Sequence, residues 1–218
     1  MYVALRDSGA LAQLEADGVS GLFQFSVDNA LCHVADPTFL GFCHSQKAEC
    51  AALTVPKLHP HEPVGVLARS GGRPAVVEYS ELSEEMKVAT DKKGRLLYSA
   101  AHICINYFSI PFIRRFVDED LVRRAPPPSH HRHRPARPRP SVRAIGAAQS
   151  TLPLHVAKKK IPCLDAAGAL VTPEAPNGVK LEMFIFDSFP VAKKARTLLQ
   201  PSRSRPQPAD LPPYIPPT

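Results

Sequence analysis

Residues 122–150 cannot contribute to a packed core, and this constrains the fold of the whole chain. The stretch holds seven arginines (123, 124, 132, 134, 137, 139 and 143), six prolines and no acidic residue. Prolines without amide donors, set among like charges, leave too little apolar surface to offset the entropy of ordering. A second stretch, residues 188–218, carries eight more prolines. The sequence therefore predicts a core split between residues 1–121 and 154–187. Residues 122–153 are expected to form a disordered Arg/Pro/His-rich insert and residues 188–218 a disordered Pro-rich tail. The seven arginines equal the formal net charge of +7, so the rest of the chain is neutral overall. Flexible arginines bind phosphate backbones with salt-sensitive affinity. No aromatic interleaves them to stack on bases, and nucleic acid is not the expected partner.

Cys32, Cys43, Cys50, Cys104 and Cys163 make an odd set without Cys-x-x-Cys spacing, which suggests neither a disulfide framework nor a zinc site. The chain shows no basic start followed by an apolar run and no window of about 18 apolar residues, so no signal peptide or membrane span is expected. A cytoplasmic location fits.

The apolar pattern predicts a mixed α/β chain. Leu5, Leu11 and Leu14 recur at helical spacing up to a stop at Gly18. Leu22 to Val27 reads as a buried strand with Asp28 and Asn29 at its end, and strand ends are where α/β sheets collect ligands. Val64 to Ala68 and Ala75 to Val77 read as two strands joined through Ser70-Gly71-Gly72-Arg73, whose glycines supply the positive φ of a tight turn. The second strand delivers Glu78 and Tyr79 to its end. Such a pair could accept hydrogen bonds from a sugar and pack on its ring, or could be a surface acid and a half-buried tyrosine. Ser83 should cap a helix, Ile103 to Phe108 should be a strand, and Ser109 should cap a helix with Pro111 in its first turn. Turns are expected at Asp165 to Gly168 and Pro176 to Gly178, then a strand over residues 179–186.

Several short blocks stand in a fixed order. They are Val27-Asp28-Asn29, Val34-Ala35-Asp36-Pro37, Glu62-Pro63-Val64-Gly65-Val66, Val77-Glu78-Tyr79-Ser80-Glu81, Gly94-Arg95-Leu96-Leu97, Lys158-Lys159-Lys160-Ile161-Pro162, Pro176-Asn177-Gly178-Val179-Lys180 and Phe184-Ile185-Phe186-Asp187. The series resembles the central region of the eukaryotic UDP-N-acetylhexosamine pyrophosphorylases. The resemblance implies a fragment of a Rossmann-like, mixed-sheet nucleotidyltransferase core. It implies transfer of uridylyl from UTP to N-acetylhexosamine 1-phosphate, giving UDP-N-acetylhexosamine and pyrophosphate, with Mg²⁺. By matching position, Asp28 is the expected metal ligand, a role its hard oxygen suits, and the alternative is a turn acid. Gly65, Glu78 and Tyr79 match sugar-contacting positions, and Phe184 and Phe186 match aromatics near the N-acetyl group or belong to ordinary core.

Three positions depart from the family pattern. The family's Leu-x-Gly-Gly-x-Gly-Thr-Arg-Leu loop, which holds nucleotide phosphates, has no counterpart here. Its Asn-Ala-Gly-Asn stands as Ser99-Ala100-Ala101-His102, so His102 takes the place of a sugar-holding Asn, or is a structural histidine. Its downstream Ser-Pro-Leu-Lys segment is also missing. The alternative reading is accordingly a catalytically inactive, truncated member that binds a sugar nucleotide or a protein.

Overall fold

The computed structural model describes residues 1–120, 152–200, 207–208 and 211–214. The expectation of disorder over residues 122–150 lies outside them. The chain divides into two compact units: Met1–Ala51, Ile105–Thr151 and Val191–Arg196 form unit 1, and Ala52–Cys104, Leu152–Pro190 and Thr197–Thr218 form unit 2.

Unit 1 opens with two short helices, α1 (Tyr2–Asp7) and α2 (Ala10–Ala16), in place of the single helix predicted. The break falls at Gly9, whose φ of +78° a right-handed helix cannot hold. Strand β1 (Gly21–Gln24) pairs antiparallel with Asn106–Ser109 of β5 (Ala100–Ser109). A Cβ at Gly21 would lie 2.4 Å from the Tyr107 ring, so a side chain here would force that ring to move. Helix α3 (Pro37–Ser45) starts at Asp36, whose Oδ1 accepts from the Thr38 N–H at 2.9 Å, with Pro37 in the first turn.

Ser109 Oγ accepts from the Phe112 N–H at 3.3 Å and starts α5 (Ile110–Arg115), which continues as a π-helical turn over Phe116–Asp120. These elements meet around buried aromatics. Tyr2 packs edge-on against Phe108 and Phe116, while Phe112 stacks on both Phe108 and Phe116. Leu11, Phe39, Ile113 and Val117 complete the interior. Each such side chain contributes about 1.5–3 kcal/mol on burial.

A mixed sheet has the strand order β11-β10-β2-β5-β3-β12, with β4 beside β3 and β1 beside β5. Besides β1, its strands are β2 (Cys50–Pro56), β3 (Val66–Ser70), β4 (Arg73–Val77), β5, β10 (Ala195–Leu199), β11 (Gln207–Pro208) and β12 (Pro213–Tyr214). The β3–β4 hairpin forms as predicted. Its register runs from Val66↔Val77 to Ser70↔Arg73, closed by Gly71 and Gly72 at φ +56° and +80°. Val66, Ala68, Val77, Leu82 and Tyr98 form a local core. Ser83 caps α4 (Glu84–Val88), its Oγ accepting from the Met86 N–H. Two ribbons follow: β6 (His155–Lys159) pairs with β9 (Gly178–Glu182), and β7 (Cys163–Leu164) with β8 (Leu170–Val171). The turn joining the second ribbon is held by Asp165 Oδ1, which accepts from Ala167 and Ala169 N–H.

Three expectations are corrected. The strand predicted to reach Val27 stops at Gln24, because Val27 is 97% exposed and the Ser26 carbonyl accepts the Asn29 N–H in a turn. Phe184 and Phe186 are not alternating strand residues. The strand ends at Glu182 and a 3-10 helix spans Ile185–Val191, favoured by local bonds from Phe184 N–H to Asp187 Oδ2 and from Ser188 Oγ to the Ile185 carbonyl. The segment expected to be disordered from residue 188 continues through that helix into β10, where the Gln200 N–H bonds the Thr54 carbonyl of β2.

Candidate functional site

The end of β4 and segments that meet it carry a cluster of carboxylates, histidines and aromatics within unit 2. Glu78 follows the last residue of β4, and its carboxylate lies over Gly65. A Cβ at Gly65 would meet Glu78 Oε1 at 3.1 Å and Val76 Cγ1 at 3.2 Å. The Gly65 carbonyl accepts the His102 N–H at 2.8 Å. His102 is 5% exposed, and its ring stands edge-on to Phe186 at 4.7 Å. Phe186 stacks on Phe184 at 4.8 Å and 12°, and Phe184 lies 4.8 Å from the ring of His155. Gly65, Glu78, His102, Phe184 and Phe186 thus form one run of contacts. Tyr79, beside them in sequence, is 41% exposed.

Sequence reasoning missed His155. It begins β6, where β9 holds it opposite Glu182. Its Nδ1 lies 3.0 Å from Glu81 Oε1 and its Nε2 3.1 Å from Asp187 Oδ2. Glu81 and Asp187 stand in blocks already noted, and His155 directly precedes the Val156-Ala157 pair and the lysine run. These pairs span 74 and 32 residues, and no local periodicity signals contacts at that range.

The electrostatics follow from this crowding. Burial pushes the Glu78 carboxyl up, and the neighbouring Glu81 charge adds to it. Burial also raises Asp187, against the pull of His155 and of the Phe184 N–H. Burial alone would lower His155, but its bond to Glu81 and the charge of Asp187 outweigh that and hold the imidazole above its ordinary range. Lys180, by contrast, is an exposed lysine paired with Glu182 at 2.6 Å.

Asp28 lies in unit 1, exposed, in the turn after β1 and not at a strand terminus. The Asp28 carbonyl accepts the Ala30 N–H and Asn29 Oδ1 accepts the Leu31 N–H, so turn chemistry fixes this segment. Among the described residues no group of three or more His, Cys, Asp or Glu side chains could hold a metal ion. A lone carboxylate fits Mg²⁺ in the mode where substrate phosphates supply further ligands.

Residues 1–125 match the family described as UTP–glucose-1-phosphate uridylyltransferase. The chain belongs to this family. Among its relatives, UDP-N-acetylhexosamine pyrophosphorylase-like protein 1 from Homo sapiens is 38% identical over 198 residues, 91% of this chain and 34% of that protein. UDP-N-acetylglucosamine pyrophosphorylase from Saccharomyces cerevisiae is 33% identical over 190 residues, 87% of this chain and 34% of that one. The crystal structure of the uridine diphosphate N-acetylglucosamine pyrophosphorylase from Trypanosoma brucei, in complex with inhibitor, superposes with a TM-score of 0.61 at 27% identity. That match covers 89% of this chain and 32% of that one. The mixed sheet is therefore the nucleotidyltransferase-like fold of the UDP-sugar pyrophosphorylases. The chain spans about a third of the length of the curated relatives it matches. Among its described residues no helix is long and apolar enough to cross a membrane.

Proposed function

We propose that this chain carries the sugar-recognition part of a cytoplasmic uridylyltransferase. The enzyme joins UTP and N-acetylhexosamine 1-phosphate into UDP-N-acetylhexosamine and releases pyrophosphate. The observation that carries the reading is the continuous run Glu78–Gly65–His102–Phe186–Phe184, whose members the resemblance aligns with sugar-facing positions, His102 standing where the family has Asn. Glu78 accepts from ring hydroxyls, Tyr79 offers a hydroxyl or a ring face from its exposed position, and His102 offers a donor or an acceptor in place of an amide. Phe184 and Phe186 form an apolar step for the N-acetyl methyl.

In the reaction, a phosphate oxygen of the sugar phosphate attacks the α-phosphorus of UTP in line, and the bond to pyrophosphate breaks. The protein's task is to hold two anions in register. Asp28 would be one ligand of Mg²⁺, which when bound neutralises charge on the phosphates. With purified chain, UTP, N-acetylglucosamine 1-phosphate and Mg²⁺, release of pyrophosphate supports catalysis by this chain, and a rate equal to the buffer blank rejects it. Calorimetry with UDP-N-acetylglucosamine then decides the alternative reading, since heat of binding without turnover favours a sugar-nucleotide-binding fragment.

A further inference from the structure

Both ring nitrogens of His155 face carboxylate oxygens, Glu81 Oε1 at 3.0 Å and Asp187 Oδ2 at 3.1 Å. Ionised carboxylates only accept, and a neutral imidazole has one donor and one acceptor. Only the imidazolium satisfies both contacts at once while the carboxylates stay charged. The surroundings favour that form. Glu78 and Glu81 approach from the end of β4, Asp187 from the 3-10 helix and Glu182 from β9, with Lys159 and Lys180 near Glu182 as opposing charges.

Each carboxylate that holds the ring also holds main chain. Glu81 Oε2 accepts the Glu78 N–H at 3.2 Å, and Asp187 Oδ2 accepts the Phe184 N–H at 3.2 Å. The Glu81 N–H returns to the Glu78 carbonyl at 2.9 Å, which closes that turn on itself. His155 itself is fixed on β6 by five register pairs with β9.

We propose that His155 is a positioning residue: as an imidazolium it ties the Glu78–Glu81 turn to the Phe184–Asp187 turn, and so sets the distance between the acid and the aromatics that face the sugar. The proposal rests on the reading given under Proposed function. In this role His155 needs no contact with substrate. It acts through Glu81 and Asp187, and losing its proton removes one of the two donors and releases one turn.

The test uses the full chain and NMR. In the wild type, nitrogen shifts of the His155 ring should show both nitrogens protonated well above the ordinary histidine range. Amide exchange at Glu78 and Phe184, corrected for intrinsic base catalysis, should accelerate in step with the ring's titration. In His155→Gln both amides should exchange about tenfold faster, the effect of losing a charge-assisted bond, while the Leu67 amide of β3 stays unchanged. A neutral tautomer below the ordinary range, or exchange at the two amides that ignores the ring's titration, overturns the proposal. The wild-type titration decides even where the variant does not fold. Coupled exchange in a wild-type chain that fails to bind UDP-N-acetylglucosamine would instead overturn the sugar-binding reading and leave the clasp standing.

Discussion

The two units use aromatic side chains for opposite ends. In unit 1, Tyr2, Phe108, Phe112 and Phe116 pack on one another, each at most 2% exposed. At its surface Arg114 pairs with Glu15 and Arg115 with Glu49. In unit 2, Phe184 and Phe186 stack on each other but meet histidines on their outer edges and stand beside Glu78, Glu81 and Asp187. The first arrangement maximises apolar contact, and the second keeps half-buried acids against an apolar step. A half-buried acid raises the free energy of the folded state unless something is gained by it, and ligand recognition is such a gain.

The sharpest way to break this comparison is to truncate one ring on each side. Phe112→Ala should cost about 3–5 kcal/mol in chemical denaturation. Phe186→Ala should cost clearly less, yet weaken UDP-N-acetylglucosamine binding measured by calorimetry. Equal costs would mean that both are plain core.

Gly21→Ala comes next. Its new methyl drives the Tyr107 ring off β1, with an expected loss of about 1–3 kcal/mol in thermal melts.

Varying pH sharpens the contrast. Glu78, Asp187 and His155 are all raised, so each of these three groups binds more protons in the folded state than in the unfolded chain. Their contribution is present in full below the ordinary values, near 4 for the acids and 6.5 for histidine, and is lost as pH rises through the raised ones. The Glu15 carboxyl of unit 1, held down by its bond to Arg114, works the other way and loses its contribution as pH falls. Denaturation across this range should show stability declining towards alkali, and Glu78→Gln should flatten the decline. A stability that rises from neutral to mildly alkaline pH would refute the assignment.

The smallest effect is expected at Thr197, whose hydroxyl is buried and finds no partner among the described residues. Thr197→Val should be neutral or stabilise by up to about 1 kcal/mol in the same melts.

How far the sequence could be read follows from the range of the interactions. Gly71-Gly72, Ser83 and Ser109 act within four residues, and their turn and caps form where predicted. Gly9 also acts locally, but three leucines at helical spacing on either side hid the break. Phe184 and Phe186 suggested a strand because their spacing of two matches one; the bonds from Asp187 and Ser188 that override it leave no trace in an apolar pattern. Proline content misjudged the stretch after residue 188, since Thr197 to Leu199 is ordinary strand and its partner β2 lies more than 140 residues earlier. For the candidate site, ordered blocks pointed to Gly65, Glu78 and the two phenylalanines. His155 became visible only once β6 was placed.

The β6–β9 ribbon reverses the usual logic of strand pairing. His155 occupies the face turned towards Glu81 and Asp187, while Val156, Val179 and Leu181 on the other face are 63%, 59% and 61% exposed. A slip of one residue exchanges the two faces. Burial would favour the slipped ribbon, so the alignment rests on an ion-paired side chain in place of an apolar one. Neutralising that residue, as in His155→Val, should let a mispaired ribbon compete, detectable as a cross-strand contact between Val156 and Glu182 where the native alignment sets Val156 against Leu181. One ring thereby guards folding fidelity.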